Sequence, residues 1–269
     1  MNTDSPAKGN AMDFAKNPAA RALNKVPQVT LAFWAIKIMS TTVGETGADY
    51  LAVHAGLGTA VTDAITLTLL VTALTLQMRM SRYVPWIYWL TVVLVSVVGT
   101  QITDALTDGM GVSLYVSTPI FAAALAATFA AWYAVEHTLS IHTIVTGRRE
   151  LFYWTAILFT FALGTAAGDL ATEAVGLGFN LGVVVFGAMI SVVTMAYYLG
   201  ADAVLCFWLG YILTRPLGAS LGDLLSQSRE YGGLGFGSVY TSVGFLTVIV
   251  ALVAFLTLHD RPAAADERA

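Results

Sequence analysis

Long apolar runs separated by short polar connections dominate the chain from about residue 29 to residue 258. Each run approaches the ~20 residues that an α-helix needs to cross a hydrocarbon core of ~30 Å. No run alternates apolar and polar positions with a period of two, so the pattern predicts helices rather than the strands of a membrane barrel. The predicted helices occupy residues 29–52, 59–78, 86–107, 114–136, 151–172, 180–200, 203–225 and 238–258.

The composition narrows the class of protein. Charged residues make up 11% of the 269 residues, against ~25% in soluble domains, and 57% are hydrophobic. So few charges cannot cover the surface of a soluble fold, which excludes soluble globular proteins, disordered chains and nucleic-acid binders. The lipid bilayer is the expected partner. The polar ends predict a disordered cytoplasmic tail at residues 1–28 and a second at 259–269, flanking a transmembrane domain at 29–258.

The distribution of basic residues predicts an orientation. An even number of helices puts both ends of the chain on one side of the membrane. Ten basic residues fall in the tails and in the loops that share their side, whereas the opposite loops carry Arg229. The positive-inside rule therefore predicts cytoplasmic N- and C-termini in the inner (cytoplasmic) cell membrane. The ten residues are Lys8, Lys16, Arg21, Lys25, Arg79, Arg82, Arg148, Arg149, Arg261 and Arg268.

A four-fold internal repeat is the strongest pattern in the chain. Each odd-numbered helix contains the spacing W-x9-G-x4-D. The four copies are Trp34–Gly44–Asp49, Trp89–Gly99–Asp104, Trp154–Gly164–Asp169 and Trp208–Gly218–Asp223. Each repeat crosses the membrane twice, so all four share one orientation and are related by an axis along the membrane normal.

The repeat predicts the architecture. We expect an all-α, polytopic membrane helix bundle of about eight transmembrane helices, built as four parallel two-helix repeats. The odd-numbered helices are expected to surround the axis with their motif faces inward. The repeats lie at about 29–80, 84–136, 150–200 and 203–258.

Three motif-bearing stretches carry a resemblance to a known family. NKVPQVTLAFWAIKIMSTTVGETGAD, LGTAAGD and ILTRPLGASLGD resemble an uncharacterised bacterial family of membrane-anchored proteins built from a repeated two-helix unit of unknown function. The resemblance extends from about Asn24 to Leu258 and implies a multi-helix inner-membrane protein, with no activity attached. The second repeat departs from the glycine-rich pattern at Thr100-Gln101-Ile102-Thr103.

The acids of the motif are the candidate functional residues, because carboxylates in apolar helices are costly. Acidic residues recur four positions apart, on one helical face, where they repel unless a cation or proton offsets them. Oxygen ligands of this kind suit hard cations such as Mn²⁺, Mg²⁺ or Ca²⁺. The leading hypothesis is a secondary transporter of a divalent cation, with protons as a candidate coupling ion. The candidate cation, proton or metal ligands are Glu45, Asp49, Asp104, Asp169 and Asp223, with Asp108, Glu173, Thr42 and Gln101 in a secondary role.

Arg215 and its neighbours suggest an ion pair or a gate. Arg215 lies near the middle of the seventh helix, too deep to reach water easily, and needs an acidic partner. In repeat register it corresponds to position 41, one turn from Glu45, so Glu45 or another motif acid is the expected partner. Pro216 removes a backbone donor and predicts a kink. The motif glycines are expected to permit close packing or to break their helices around a cavity. They are Gly44, Gly99, Gly164 and Gly218.

Two alternatives stay open. In straight helices the motif Asp residues lie ~27 Å from the start of the core, at the outer interface, where they would cap helices. The Trp residues would then form an interfacial belt, and the protein would be a non-transporting scaffold or accessory subunit. If Arg215 had no acidic partner, an anionic substrate would be favoured, with Lys37 assisting.

No enzymatic motif is present. The all-helical pattern offers no serine-hydrolase elbow, and the chain lacks zinc-peptidase, P-loop and dinucleotide signatures and the G-x-G-D pattern of intramembrane aspartyl proteases. We therefore expect a protein that is not an enzyme. The four histidines are scattered, which predicts no haem, zinc or other cofactor, and the oligomeric state stays open.

Overall fold

A computed structural model describes residues 24–54 and 59–259, apart from the side chains of positions 49, 51–54 and 259. Residues 1–23 and 260–269 of the predicted tails lie outside the described part of the chain. The long helices are α1 (Leu31–His54), α2 (Thr59–Arg79), α3 (Pro85–Asp104), α4 (Leu114–Glu136), α5 (Gly147–Asp169), α6 (Gly178–Tyr198), α7 (Ala203–Ser226) and α8 (Ser238–His259).

These helices confirm the prediction of an all-α membrane bundle. Among the described residues, seven helices are long and apolar enough to cross a membrane. The remaining one, α1, has 24 residues but carries Lys37 and Glu45 in its interior. Short π-helical turns extend α3 at Ala105–Gly109 and α5 at Leu170–Ala174. The chain is an integral membrane protein.

The helices form two concentric rings. The odd-numbered helices contact one another in the cyclic order α1, α3, α5, α7, and α7 closes the ring by packing on α1. Each even-numbered helix packs mainly on the inner helix of the next repeat, and α8 packs on α1. The apolar spans of α3, α5 and α7 are 56–67% buried, against 11–22% for the four outer helices. The inner ring therefore forms the core, and the outer ring presents its apolar surface to lipid.

The end of the bundle where α1 begins is closed by residues 24–30. Lys25 is buried and its ammonium lies 2.6 Å from the Glu150 carboxylate in the first turn of α5. Gln77 of α2 donates to the same carboxylate at 3.2 Å. The backbone N–H of Lys25 donates to the Ile144 carbonyl at 3.0 Å. Residues 24–28, which the sequence places in the predicted tail, are therefore attached to the bundle by this ion pair.

The motif glycines make the contacts that close the inner ring. In each repeat the motif glycine packs on the residue three positions before the motif glycine of the next repeat. A Cβ atom at Gly99 would lie 2.7 Å from the Phe161 Cβ, and one at Gly164 would lie 2.5 Å from the Arg215 Cβ. The four contacts are Gly44 with Ser96, Gly99 with Phe161, Gly164 with Arg215, and Gly218 with Thr41. The same contact, repeated in order and closing on itself, establishes a pseudo-four-fold axis.

Two expectations about the motif are wrong. The inner helices are not broken at the glycines, because each glycine is used for close approach within an intact helix. Nor do the motif Trp residues form an interfacial belt. Trp89, Trp154 and Trp208 are at most 4% exposed and pack among other rings, as Trp208 does with Trp132 of α4 at a centroid distance of 5.9 Å, whereas Trp34 is partly exposed.

Candidate functional site

The motif places one face of every inner helix toward the axis. Residues four apart share a helical face, and counting back from the motif Asp in steps of four gives equivalent side chains in all four repeats. We name these axial layers after one member each. The Asp layer is Asp49, Asp104, Asp169 and Asp223; the Glu45 layer is Glu45, Thr100, Thr165 and Ala219; the Arg215 layer is Thr41, Ser96, Phe161 and Arg215; the Lys37 layer is Lys37, Val92, Ile157 and Tyr211.

The Asp layer opens into a cavity at the end of the axis. The cavity has a volume of about 140 Å³ and is lined by residues from all four repeats. Leu114 and Phe179, from the first turns of α4 and α6, complete its wall. Its acidic lining residues are Glu45, Asp104, Asp108, Asp169, Glu173 and Asp223. Six of the acids selected from the sequence thus surround one space.

Of the other sequence-selected residues, Thr42 and Gln101 do not line this cavity. The side chain of Asp49 lies outside the described residues, although its backbone belongs to α1. The Thr42 hydroxyl donates to the Ile38 carbonyl of its own helix at 3.2 Å. Gln101 faces α2, where its side-chain oxygen accepts a hydrogen bond from Thr66 at 2.6 Å. Thr42 and Gln101 lie off the four-residue ladder, so they turn away from the axis.

The ends of α3 and α5 do not use their motif acids as caps. Neither Asp104 nor Asp169 makes a side-chain capping bond to the π-helical turn that follows it. Asp108 and Glu173 lie within those turns and also line the cavity. Asp104 and Asp169 therefore do not cap these π-helical turns, and their side chains border the cavity.

Arg215 lies immediately beyond the cavity and joins the inner helices at the axis. Its side chain is fully buried, and one terminal nitrogen lies 2.5 Å from a Glu45 carboxylate oxygen. The guanidinium also donates to the Thr41 carbonyl at 3.0 Å and to the Thr165 hydroxyl at 2.8 Å, and it contacts the Thr100 hydroxyl. Arg215 thus has the acidic partner that its depth requires. The hypothesis of an anionic substrate depended on Arg215 having no such partner, so it is not supported.

Lys37 lies one layer further from the cavity. The sequence indicated it only as a residue that could assist Arg215 with an anionic substrate. The side chain of Lys37 is 1% exposed, and its Nζ has no hydrogen-bond partner among the described residues. The Nζ lies 4.0 Å from the Phe161 ring centroid and 4.2 Å from that of Tyr211. Lys37 lies two helical turns before Glu45 in the same series of positions four residues apart. This spacing is the sequence signal that identifies it as an axial residue.

Two further cavity residues had no signal in the motif. Thr107 lies within the π-helical turn after α3, and Gln227 directly follows α7. Both line the cavity. Gln227 follows Asp223 by one step of the four-residue ladder, in register with Asp108 and Glu173, so repeat register could have identified it. Thr107 lies off the ladder, and only the three-dimensional arrangement of the helix ends identifies it.

The cavity concentrates negative charge without forming a compact metal centre. Among the described residues, no three His, Cys, Asp or Glu side chains are placed to hold one metal ion together. A cavity of this polarity has space for several water molecules. The arrangement can therefore bind protons on its carboxylates, or a cation that keeps part of its water shell.

Comparison with known proteins identifies the repeat. The family model described as Repeat of Unknown Function (DUF347) matches residues 32–83, 87–138, 152–201 and 206–261. Each match begins in an inner helix and includes the outer helix that follows it. No curated protein and no solved structure matches the chain. The chain belongs to this DUF347 repeat family, whose four copies are the four helix pairs that surround the axis.

Proposed function

We propose that this protein is a secondary transporter of a small cation of the Mn²⁺, Mg²⁺ or Ca²⁺ class. The observation that carries the proposal is the convergence of six carboxylates, contributed by all four repeats, on one cavity at the end of the axis. Two unit charges ~8 Å apart repel by about 2 kcal/mol at an effective dielectric constant of 20. Six acids around one cavity therefore attract a cation strongly.

The proposed cation is bound with part of its water shell. The acids surround the space rather than converge on one point, and Mg²⁺ in particular retains several waters when one or two carboxylates bind it. Carboxylates that are separated from the ion by water molecules suit such outer-sphere binding. This arrangement also permits release, which a transporter needs as much as capture.

The Arg215–Glu45 pair is the proposed gate below the cavity. Glu45 both lines the cavity and accepts a hydrogen bond from Arg215. A cation that enters competes with the guanidinium for this carboxylate, and the ion pair weakens. Because Arg215 also bonds to α1, α3 and α5, its release loosens the contacts between all four inner helices at once.

The test uses purified protein and amide substitutions that keep side-chain size while removing charge. Asp104→Asn, Asp169→Asn and Asp223→Asn are compared with Asp63→Asn, since Asp63 belongs to α2 and does not line the cavity. We expect each cavity variant to bind Mn²⁺, Mg²⁺ or Ca²⁺ at least tenfold more weakly by calorimetry, and the control to bind like the wild type. Wild-type affinity in all three cavity variants would overturn the proposal.

The second candidate is a membrane scaffold, and the closed axis favours it. Below the cavity the layers around Arg215 and Lys37 are fully buried, and an aromatic cluster fills the space beyond them. A scaffold has no need of an open path. In that case the wild type binds none of the three cations, and the amide variants remain folded and assemble as the wild type does.

A further inference from the structure

The buried amine of Lys37 takes no part in the proposed gate. Within the described part of the chain its Nζ has no acceptor for its hydrogens, although the residue is 1% exposed. An ammonium group without an acceptor is costly to bury. The two ring faces of Phe161 and Tyr211, at 4.0 and 4.2 Å, offset part of that cost by cation–π attraction. The environment therefore tolerates both a neutral amine and an ammonium.

A second cation shares the same aromatic ring. The Arg215 guanidinium carbon lies 6.0 Å from the Phe161 ring centroid, and the Lys37 Nζ lies 4.0 Å from it. Arginine keeps its charge in all conditions, so any proton on Lys37 is repelled by Arg215. The strength of this repulsion depends on how far the charge of Arg215 is balanced by Glu45.

Among the titratable groups near it, Lys37 is the one that we expect to gain and lose a proton. Arg215 and Tyr211 approach it from α7, and Tyr153 and Tyr88 belong to the next layer along α5 and α3. On its own helix the nearest acid is Glu45, which is held by Arg215. The helix α8, which also packs on α1, contributes Tyr240 among its described titratable side chains, and this residue is 81% exposed.

We propose that Lys37 is the proton-binding site that couples proton movement to cation binding in the cavity, an inference that rests on the proposed transport function. The lone pair of the neutral amine accepts a proton from a hydronium ion and leaves water behind, and the same N–H bond breaks when the proton departs. The Tyr211 hydroxyl and the hydroxyl pair of Tyr88 and Tyr153, 2.5 Å apart, continue the polar groups along the axis away from the cavity.

The coupling follows from electrostatics along α1. Lys37 and Glu45 are eight residues apart, or ~12 Å along the helix. At an effective dielectric constant of 20, one added charge at that distance changes a proton affinity about tenfold. Below the pH range in which the amine of the cation-free protein is neutral, Lys37 holds a proton. A cation that occupies Glu45 frees the charge of Arg215 and adds its own charge, so it expels that proton. A proton on Lys37 weakens cation binding by the same factor.

The first experiment tests the proton site without requiring transport. Unfolding titrations in mixed micelles compare the wild type with Lys37→Met between pH 7 and 9. A lysine that loses its proton on folding makes the folding constant rise about tenfold per pH unit, and we expect this rise in the wild type relative to the Met variant. The control is the double variant Lys25→Met/Glu150→Gln, which removes the other buried lysine with its partner and should keep the wild-type slope. Parallel curves for the wild type and Lys37→Met would overturn the proposal.

The second experiment tests the coupling, with Mn²⁺ as the probe in proteoliposomes. The wild type is expected to accumulate Mn²⁺ in response to an imposed pH gradient. Lys37→Met should bind Mn²⁺ but accumulate it equally with and without the gradient. A Met variant that follows the gradient like the wild type contradicts the coupling and leaves the proposed transport intact. A wild type that neither binds nor moves Mn²⁺, Mg²⁺ or Ca²⁺ contradicts the proposed transport, and the unfolding titration then decides the proton site separately.

Discussion

At the scale of single residues, one arginine connects all four repeats. The position after the motif glycine is occupied by Glu45, Thr100 and Thr165 in the first three repeats, and each of these side chains accepts a hydrogen bond from Arg215 of the fourth. The equivalent residue in the fourth repeat is Ala219, on the helix of Arg215 itself. Five donors in a planar fork allow an arginine to reach several acceptors at once, which a lysine ammonium cannot do in the same geometry.

Removal of the Glu45 carboxylate should therefore destabilise the whole bundle. A buried ion pair that loses one partner costs about 3–5 kcal/mol, because the other charge stays buried and uncompensated. We expect Glu45→Ala to lower the free energy of unfolding by about 3 kcal/mol, with the Thr41, Thr100 and Thr165 oxygens retaining part of the interaction. Glu45→Gln should cost less, since its amide oxygen still accepts from the guanidinium.

Unfolding titrations in mixed micelles measure both variants. Glu230→Ala is the control, because Glu230 is exposed in the loop between α7 and α8. Its free energy of unfolding should match that of the wild type. If Glu45→Ala is as stable as Glu230→Ala, the ion pair does not hold the inner ring together.

Much of the site follows from the repeat, and the exceptions have physical causes. Repeat register indicates Glu45 as the partner of Arg215, because equivalent positions on helices around one axis lie at one depth. Thr42 and Gln101 were selected for their polarity, yet they lie off the ladder: Thr42 bonds to its own helix and Gln101 faces α2. The pairing of Lys25 with Glu150 depends on how the chain enters the bundle, about which no repeated position carries information.

At the scale of the helices, glycine sets the distance between neighbours in the inner ring. Small residues let backbones approach closely in membranes, where association depends on packing more than on the hydrophobic effect. Here each motif glycine receives a side chain from the next inner helix, and the contacts run in the same direction around the ring. The sequence predicted close packing at these positions, but not that each glycine would serve the following repeat, because a single chain does not reveal the order of helices around an axis.

A methyl group at a motif glycine should push two inner helices apart. Gly99→Ala places a Cβ 2.7 Å from the Cβ of Phe161, which cannot move without its backbone. Overpacking of this kind costs about 1–3 kcal/mol, so we expect a loss of about 2 kcal/mol in the free energy of unfolding. The affinity of the cavity for a cation should fall as well, because the residues of the Asp layer lie on the same helices.

The chain contains a matched control for this substitution. Gly187 lies in the outer helix α6, and a Cβ there meets no atom within 4 Å. Gly187→Ala should leave stability unchanged or raise it by up to about 1 kcal/mol through helix propensity. Equal effects of Gly99→Ala and Gly187→Ala in unfolding titrations would mean that the motif glycine is not needed for the inner contacts.

At the scale of the whole molecule, charge is separated along the axis. Six acids surround the cavity at one end, and the other end carries the buried Lys25–Glu150 pair together with Arg148 and Arg149. The fold fixes which residues share an end, because an even number of long helices returns the chain to its starting end of the bundle. It does not by itself relate either end to the cytoplasm, so orientation depends on the bias of basic residues toward the end opposite the cavity.

The predicted orientation can be tested by cysteine labelling. Background labelling is low, because Cys206 is the single cysteine of the chain and is buried. In a Cys206→Ala background, Glu230→Cys marks the cavity end and Arg148→Cys, at a side chain 67% exposed, marks the other end. We expect a membrane-impermeant maleimide to label Glu230→Cys in intact spheroplasts and Arg148→Cys only after permeabilisation. The reverse pattern would put the acidic cavity on the cytoplasmic side, and cations would then be collected from the cytoplasm for export. The labelling result therefore fixes the direction from which the cavity is loaded, independently of which cation it binds.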